Sequence, residues 1–304
     1  MPAQTLGKIE VHTFPLPPKG FDPLHASAQD LQRHGFPRHP DPIKEPRAAG
    51  RWVEAFRHYR EFTHVIPEFT ERPDHVHGPN RRTIKNSQGQ LNATSSNWSG
   101  EVAFVGGGDK FEWIVGAWTV PHVYAIPGAT GTDYSSAWLG IDGDGSGDVM
   151  QAGTESDSDG SCYAWWEWYP NYEVAIPNFP VAFGDAITLL LCSTGASTAW
   201  MSIGNLTSKH YTSFSFSAPS GTTLVGNCAE AVMERPGVGG ALAELPRYGL
   251  IEFNDVVAYS QKSSWPIAAG TPLSMVADDG VTVISAPDPE SGDPDSFVTG
   301  YTGP

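Results

Sequence analysis

From Asn97 to its end, this chain never sustains an apolar pattern for longer than one strand. Short β-rich runs occupy 98–105, 111–120, 135–140, 149–153, 162–169, 186–192, 199–206, 210–217, 229–234, 249–257, 273–277 and 281–285. Clusters of Gly, Pro, Asp, Asn and Ser separate them, and no helical periodicity intervenes. Without helices there is nothing to cover the faces of a parallel sheet. The pattern therefore predicts an all-β domain, a two-sheet antiparallel sandwich of the concanavalin-like jelly-roll kind. The tail SFVTGYTG at 296–303 is expected to return as a closing edge strand.

Residues 1–95 are written differently. Residues 1–48 are punctuated by proline, in FPLPPKGFDP and GFPRHPDPIKEP. Between these stretches, Ser27 and Gly35 bracket a short helix as its N-cap and stop signal. Trp52, Phe56 and Tyr59 share one face of a helix over 51–62, and that face is expected to dock on the downstream domain. From 72 to 95 the chain is polar and reads as an exposed linker, a plausible processing region. The expected division is thus a partly helical, pro-segment-like region with linker over 1–95, and the β-sandwich domain over 96–304.

Charge follows the same division. Residues 1–95 hold 13 Lys and Arg, 10 Asp and Glu, and 8 of the 10 histidines. Residues 96–304 hold 5 Lys and Arg against 24 Asp and Glu, so about +3 faces −19 with histidine neutral. A basic, His-rich segment beside an acidic domain suggests a pH-sensitive electrostatic clamp, expected to release near pH 4 to 5 as the ordinary carboxylates protonate. Phosphate backbones would be repelled by the acidic domain, so no nucleic-acid partner is expected. No apolar run approaches membrane-spanning length, so no membrane partner is expected either. The start, MPAQTLGKIEVHTF, lacks the apolar core of a secretory signal. Cys162, Cys192 and Cys228 have spacings unlike a metal motif, although Cys192 and Cys228 could pair.

Chemistry concentrates in few places. In CYAWWEWY at 162–169, alternation puts Trp166 and Trp168 on one face and Tyr163, Trp165, Glu167 and Tyr169 on the other. One face suits the core; the other lines a groove with aromatics around a carboxylate, which needs a partner or a function. Gln151 stands in MQAG, and Glu230 shares a strand face with Val232 and Glu234. A carboxylate can take a proton from water, and a carboxamide can orient that water or donate to a developing oxyanion. The Asp142–Asp148 loop departs from an EF-hand at its twelfth position and reads as a hydrogen-bonded turn. No His/Cys cluster indicates zinc, and no nucleophile elbow is present. Two other readings of an acidic, aromatic groove stay open: a glycoside hydrolase using Glu167 and Glu230, or a carbohydrate-binding module.

NWSG at 97–100, WTVP at 118–121, SAWLGIDGDG at 136–145, MQAG at 150–153, AWWEWYP at 164–170 and AEAVMERP at 229–236 recur in order, and together they resemble the glutamic peptidases, or eqolisins. The resemblance covers residues 95–304. It implies a β-sandwich endopeptidase acting in acid, made as a precursor and working outside the cell on protein or peptide substrates. It implies no cofactor or metal, and a monomer is expected. By position in the motifs, the catalytic pair falls on Gln151 and Glu230, with Trp98, Trp138, Asp142, Trp165, Glu167 and Tyr169 supporting. The chain departs from the family pattern at Glu155, Tyr163 and Ala231.

Overall fold

The computed structural model of the protein describes residues 3–57, 59–82, 94–288 and 293–303. Every β run expected after Asn97 is a strand. One sheet runs, in hydrogen-bonded order, Glu173–Ala175, Cys162–Tyr169, Val149–Ser156, Ser136–Ile141, Cys228–Glu234 and Trp98–Phe104, all antiparallel. The other runs His210–Ser217, Thr198–Asn205, Ala186–Gly195, Phe111–Thr119, Leu250–Ser260 and Phe297–Tyr301. Thr271–Val276 pairs with Trp98–Phe104 and with Val283–Asp288, joining the two sheets along one side. The tail returns as a closing strand, Phe297–Tyr301, but pairs on both sides, with Leu250–Ser260 and with Val283–Asp288, and so is not the edge strand expected.

Period-two alternation decides what each face carries. Ala164, Trp166 and Trp168 face the space between the sheets, where Trp166 packs on Phe214 and Phe216 at ring separations of 5.4 and 4.7 Å. Trp165 belongs to a second cluster on the outer face, with Trp98, Trp138, Val149 and Val232. A one-residue slip would exchange these sets, so the tryptophans fix the register as well as filling volume. Truncating one such buried ring to alanine costs about 3–5 kcal/mol.

The N-terminal region is less separate than its composition suggests. Gln4–Leu6 and Ile9–Thr13 form a hairpin whose second strand extends the far sheet, Val11 opposite Phe216 and Thr13 opposite Phe214. The prolines that follow mask this hairpin in the sequence, although Ile9 and Val11 are both buried. Ser27 caps the helix Ala28–Arg33 by accepting the Asp30 N–H at 3.1 Å. Gly35 ends it at φ +72°, a conformation that favours glycine. The second helix is Pro46–Phe56, starting earlier than the aromatic spacing implied because Pro46 supplies a preset first turn. Tyr59 follows in a 3-10 turn, Tyr59–Glu61. Leu31, Phe36, Trp52, Phe56 and Tyr59 close over Tyr211, with Phe36 stacked on the Tyr211 ring at 5.6 Å and 5°.

Two expectations are corrected. The stretch read as an exposed linker from residue 72 is ordered and paired as far as Arg82; residues 83–93 of it lie outside the described residues. Cys192 and Cys228 lie in different sheets, and all three cysteines are free. The 142–148 loop is a hydrogen-bonded turn. Asp142 accepts the N–H groups of Val225, Gly226 and Asn227 at 2.7–3.0 Å, and Ser146 Oγ accepts that of Gly143 at 2.7 Å.

Phe36→Ala should destabilise the docking of the N-terminal helices by about 3 kcal/mol through loss of the stack and the cavity left behind. Hydrogen exchange should then show residues 28–56 losing protection before the sandwich strands do. Simultaneous loss in both would contradict separate docking.

Candidate active site

On the outer face of the first sheet, one cross-strand row reads Val102, Glu230, Gly140, Gln151 and Glu167, each directly opposite the next. Gln151 and Glu230 therefore stand on either side of Gly140. A Cβ on Gly140 would lie 2.7 Å from Glu230 Oε1 and 2.6 Å from the Trp138 ring. Glycine leaves the two functional side chains the space to converge. Both carboxylate oxygens of Glu230 and Oε1 of Gln151 are buried without a hydrogen-bond partner among the described residues. Burial, then the negative charge of Asp142, pushes the Glu230 carboxyl well above its ordinary range.

The groove over this row is filled by the chain's own N-terminal region. Thr70–Arg72 adds an antiparallel strand beside Glu173–Ala175, and His75–Val76 pairs with Gly237–Val238. Between and beyond these anchors the backbone crosses the row. The His77 N–H donates to Glu167 Oε2 at 3.0 Å, and the His77 carbonyl accepts from Gln151 Nε2 at 2.5 Å. Farther on, Asn80 N–H donates to the Gly143 carbonyl, and Arg82 donates to both oxygens of Asp144 at 2.7 and 2.5 Å. Open space lies elsewhere, at a small cavity lined by Phe56, Tyr59, Phe62, Leu190 and Tyr211.

The His77 side chain is fully buried. Its ring lies flat on Trp165, with centroids 3.7 Å apart and planes 8° apart. Nδ1 faces Glu234 Oε2 at 3.0 Å, Nε2 faces Glu173 Oε2 at 3.1 Å, and Glu155 Oε2 is 3.8 Å from Nε2. Burial disfavours its charge, but bonds to Glu173 and Glu234 and the field of Glu155 outweigh that and hold the imidazole well above its ordinary value. Glu234 is itself fixed by N–H donors from Trp138 at 2.8 Å and from Trp98 and Asn97, each at 3.2 Å. Burial also raises Glu155, reinforced by Asp157, and raises Glu167, where His77 pulls the other way.

Among the described residues, His77, Glu155 and Glu173 place ligand-type atoms within 4.8 Å of one another and form a group that could hold a metal ion. The separations of about 3 Å between the imidazole nitrogens and Glu173 and Glu234 fit proton-bridged pairs.

Trp98, Trp138, Trp165, Glu167 and Tyr169 all lie on or beside this face, with Tyr169 next to Gly78. Asp142 sits one step away and holds the 225–227 turn. His77 and Glu173 escape a sequence reading, the first in a polar stretch and the second in an unremarkable NYEVAIP. Glu234 carried a signal in its shared face with Glu230.

The fold sets a carboxamide and a carboxylate across a glycine on one face of a β-sandwich. Residues 96–292 match the peptidase A4 family, and the chain belongs to it. It is 27% identical over 260 residues to aspergillopepsin-2 of Aspergillus niger, covering 78% of this chain and 84% of that one. It is 31% identical over 150 residues to scytalidopepsin B of Scytalidium lignicola, covering 48% and 55%. Its fold is similar to scytalido-glutamic peptidase solved with a transition-state analogue inhibitor, with a TM-score of 0.60, 23% identity, and coverage of 68% and 98%. The aspergilloglutamic peptidase structure from Aspergillus niger gives a TM-score of 0.51 and 28% identity, covering 56% and 99%. The protein is a glutamic peptidase, which sets aside the glycosidase and carbohydrate-binding alternatives.

Gly140→Ala should displace the Glu230 carboxylate and cut peptide hydrolysis at least about 10²-fold, the scale of losing one transition-state interaction. Circular dichroism should show the sandwich intact. Activity within threefold of wild type would mean Glu230 does not need that space.

Proposed function

We propose that the protein is an acid-acting endopeptidase in which Gln151 and Glu230 carry the chemistry. The observation that supports this most is that Gln151 Nε2 already donates to a peptide carbonyl, that of His77, on the row it shares with Glu230. In a substrate seated the same way, the scissile carbonyl oxygen takes that place. Ionised Glu230 removes a proton from water as the water oxygen bonds to the carbonyl carbon. Gln151 donates to the oxyanion that forms. Collapse of the tetrahedral intermediate breaks the C–N bond, and protonated Glu230 returns its proton to the leaving nitrogen. Glu167, which accepts the backbone N–H of residue 77, aligns the chain.

The same reading makes residues 1 to about 95 an inhibitory pro-segment of a zymogen that acts outside the cell. Occupation of the groove excludes substrate, and in this covered form the buried Glu230 is raised toward its protonated form, which is no base. The pH response differs from simple charge attraction. His77 holds its proton more tightly when docked than its ordinary value near 6.5. Its contribution to docking is therefore complete below about 6.5 and lost as pH rises through the elevated docked value. Glu155, Glu167 and Glu230 are raised by burial, and the segment's His77 pulls Glu155 and Glu167 the other way. Of the groups around His77, a charged His75 opposes its charge, and Glu173, Glu234 and Glu155 support it. Loss of the His77 proton is thus expected to loosen the segment as pH rises, not as it falls.

Glu230→Gln and Gln151→Ala should each lower turnover about 10²–10³-fold or more, with wild-type circular dichroism. Glu167→Gln should cost less. Wild-type rates in either of the first two would remove the mechanism.

In full-length Glu230→Gln, the protection of amides 70–82 relative to free amides at the same pH should be high at about pH 5 and fall as pH climbs past neutrality. His77→Gln should abolish that alkaline dependence. Opening confined to acid, with His77→Gln behaving as wild type, would overturn the assignment of His77 as the docking group.

A further inference from the structure

The pocket that holds His77 is built by the body of the enzyme, not by the segment that fills it. Glu155, Glu173, Glu234 and Trp165 come from four different strands of one sheet. Among the described residues, His77 is the one cation within ion-pair distance of the three carboxylates. Both oxygens of Glu155 and Oε1 of Glu173 have no hydrogen-bond donor there, even with His77 in place. Buried carboxylates in such number are costly unless a cation joins them. When the segment leaves, something else of positive charge is favoured in its place.

The backbone says which substrate residue that is. The His77 carbonyl is the one Gln151 holds, so the pocket receives the side chain of the residue whose carbonyl is attacked. Its shape is also selective. Trp165 supplies a flat wall at 3.7 Å, and the acceptors Glu234 and Glu173 face two different ring nitrogens. Such a slot matches a planar cation with N–H donors on more than one edge, an imidazolium or a guanidinium, better than a point-like ammonium.

Resting on the peptidase reading above, we propose that this pocket is a specificity site. It directs cleavage to peptide bonds whose carbonyl belongs to histidine or arginine. The segment blocks the enzyme by presenting the same side chain the pocket selects.

The test uses the full-length chain, held in acid until its hydrolysis of a denatured protein is constant. A peptide series differing only at the carbonyl-side residue, His, Arg, Lys, Gln or Leu, is then assayed at about pH 5, where free imidazole is protonated. The His and Arg peptides should exceed Gln and Leu by at least about tenfold in kcat/KM, with the difference chiefly in KM. In Glu173→Gln the His-to-Leu ratio should fall toward one. Equal rates across the series, with cleavage at the intended bond, would overturn the proposal and leave the peptidase reading standing.

A second arm does not depend on turnover. In full-length Glu230→Gln, His77→Arg should keep amides 70–82 protected, and His77→Leu should expose them at least about tenfold faster. Absence of all peptide cleavage would defeat the peptidase reading, and this arm would then decide the pocket by itself. Equal protection in the Arg and Leu forms would overturn it.

Discussion

Carboxylates are expensive to bury, and this protein buries Glu155, Glu167, Glu173, Glu230 and Glu234 on one face of one sheet. Each taken alone would cost several kcal/mol or keep its proton. Much of the surrounding architecture answers that cost. Indole N–H groups of Trp98 and Trp138 converge on Glu234, a backbone N–H reaches Glu167, and one imidazole lies among Glu155, Glu173 and Glu234. Both carboxylate oxygens of Glu230 are left without a hydrogen-bond partner among the described residues.

The period of two makes this possible. Along Cys162–Tyr169, neighbouring tryptophans serve opposite purposes, Trp166 and Trp168 filling the inter-sheet core while Trp165 forms a wall of the groove. Rigidity on the inner face holds the outer row in register, and Gly140 supplies the gap across which Gln151 and Glu230 face each other. The site needs no flexible loop to assemble it, since all its principal groups stand on paired strands.

Much of this was legible in the sequence, because it rests on local rules. Turn clusters marked the strands, alternation sorted the aromatics of 162–169, and ordered motifs singled out Gln151 and Glu230, which the register sets on either side of Gly140. His77 was not legible. Its ring partners Glu234 and Glu173 lie 157 and 96 residues away, so nothing near it distinguishes it from a solvated histidine. The hairpin at 4–13 was hidden for a related reason: its strands are too short to declare themselves, and its stability comes from pairing with a strand 200 residues later. Polar composition alone made 72–82 read as a linker, although backbone pairing needs no apolar side chains.

The N-terminal region holds the sandwich at more than the groove. Ile9–Thr13 lies along Phe214–Phe216, and Thr63–His64 pairs beside His210 and Tyr211 on the same strand. Together they cap the outermost strand of the far sheet. A form lacking this region would present that strand's backbone N–H and C=O groups to water as an open edge, flanked by Tyr211, Phe214 and Phe216. Such an edge is a template for pairing with another chain. Besides covering the row of Gln151 and Glu230, the region thus closes a border of the sandwich that would otherwise be adhesive.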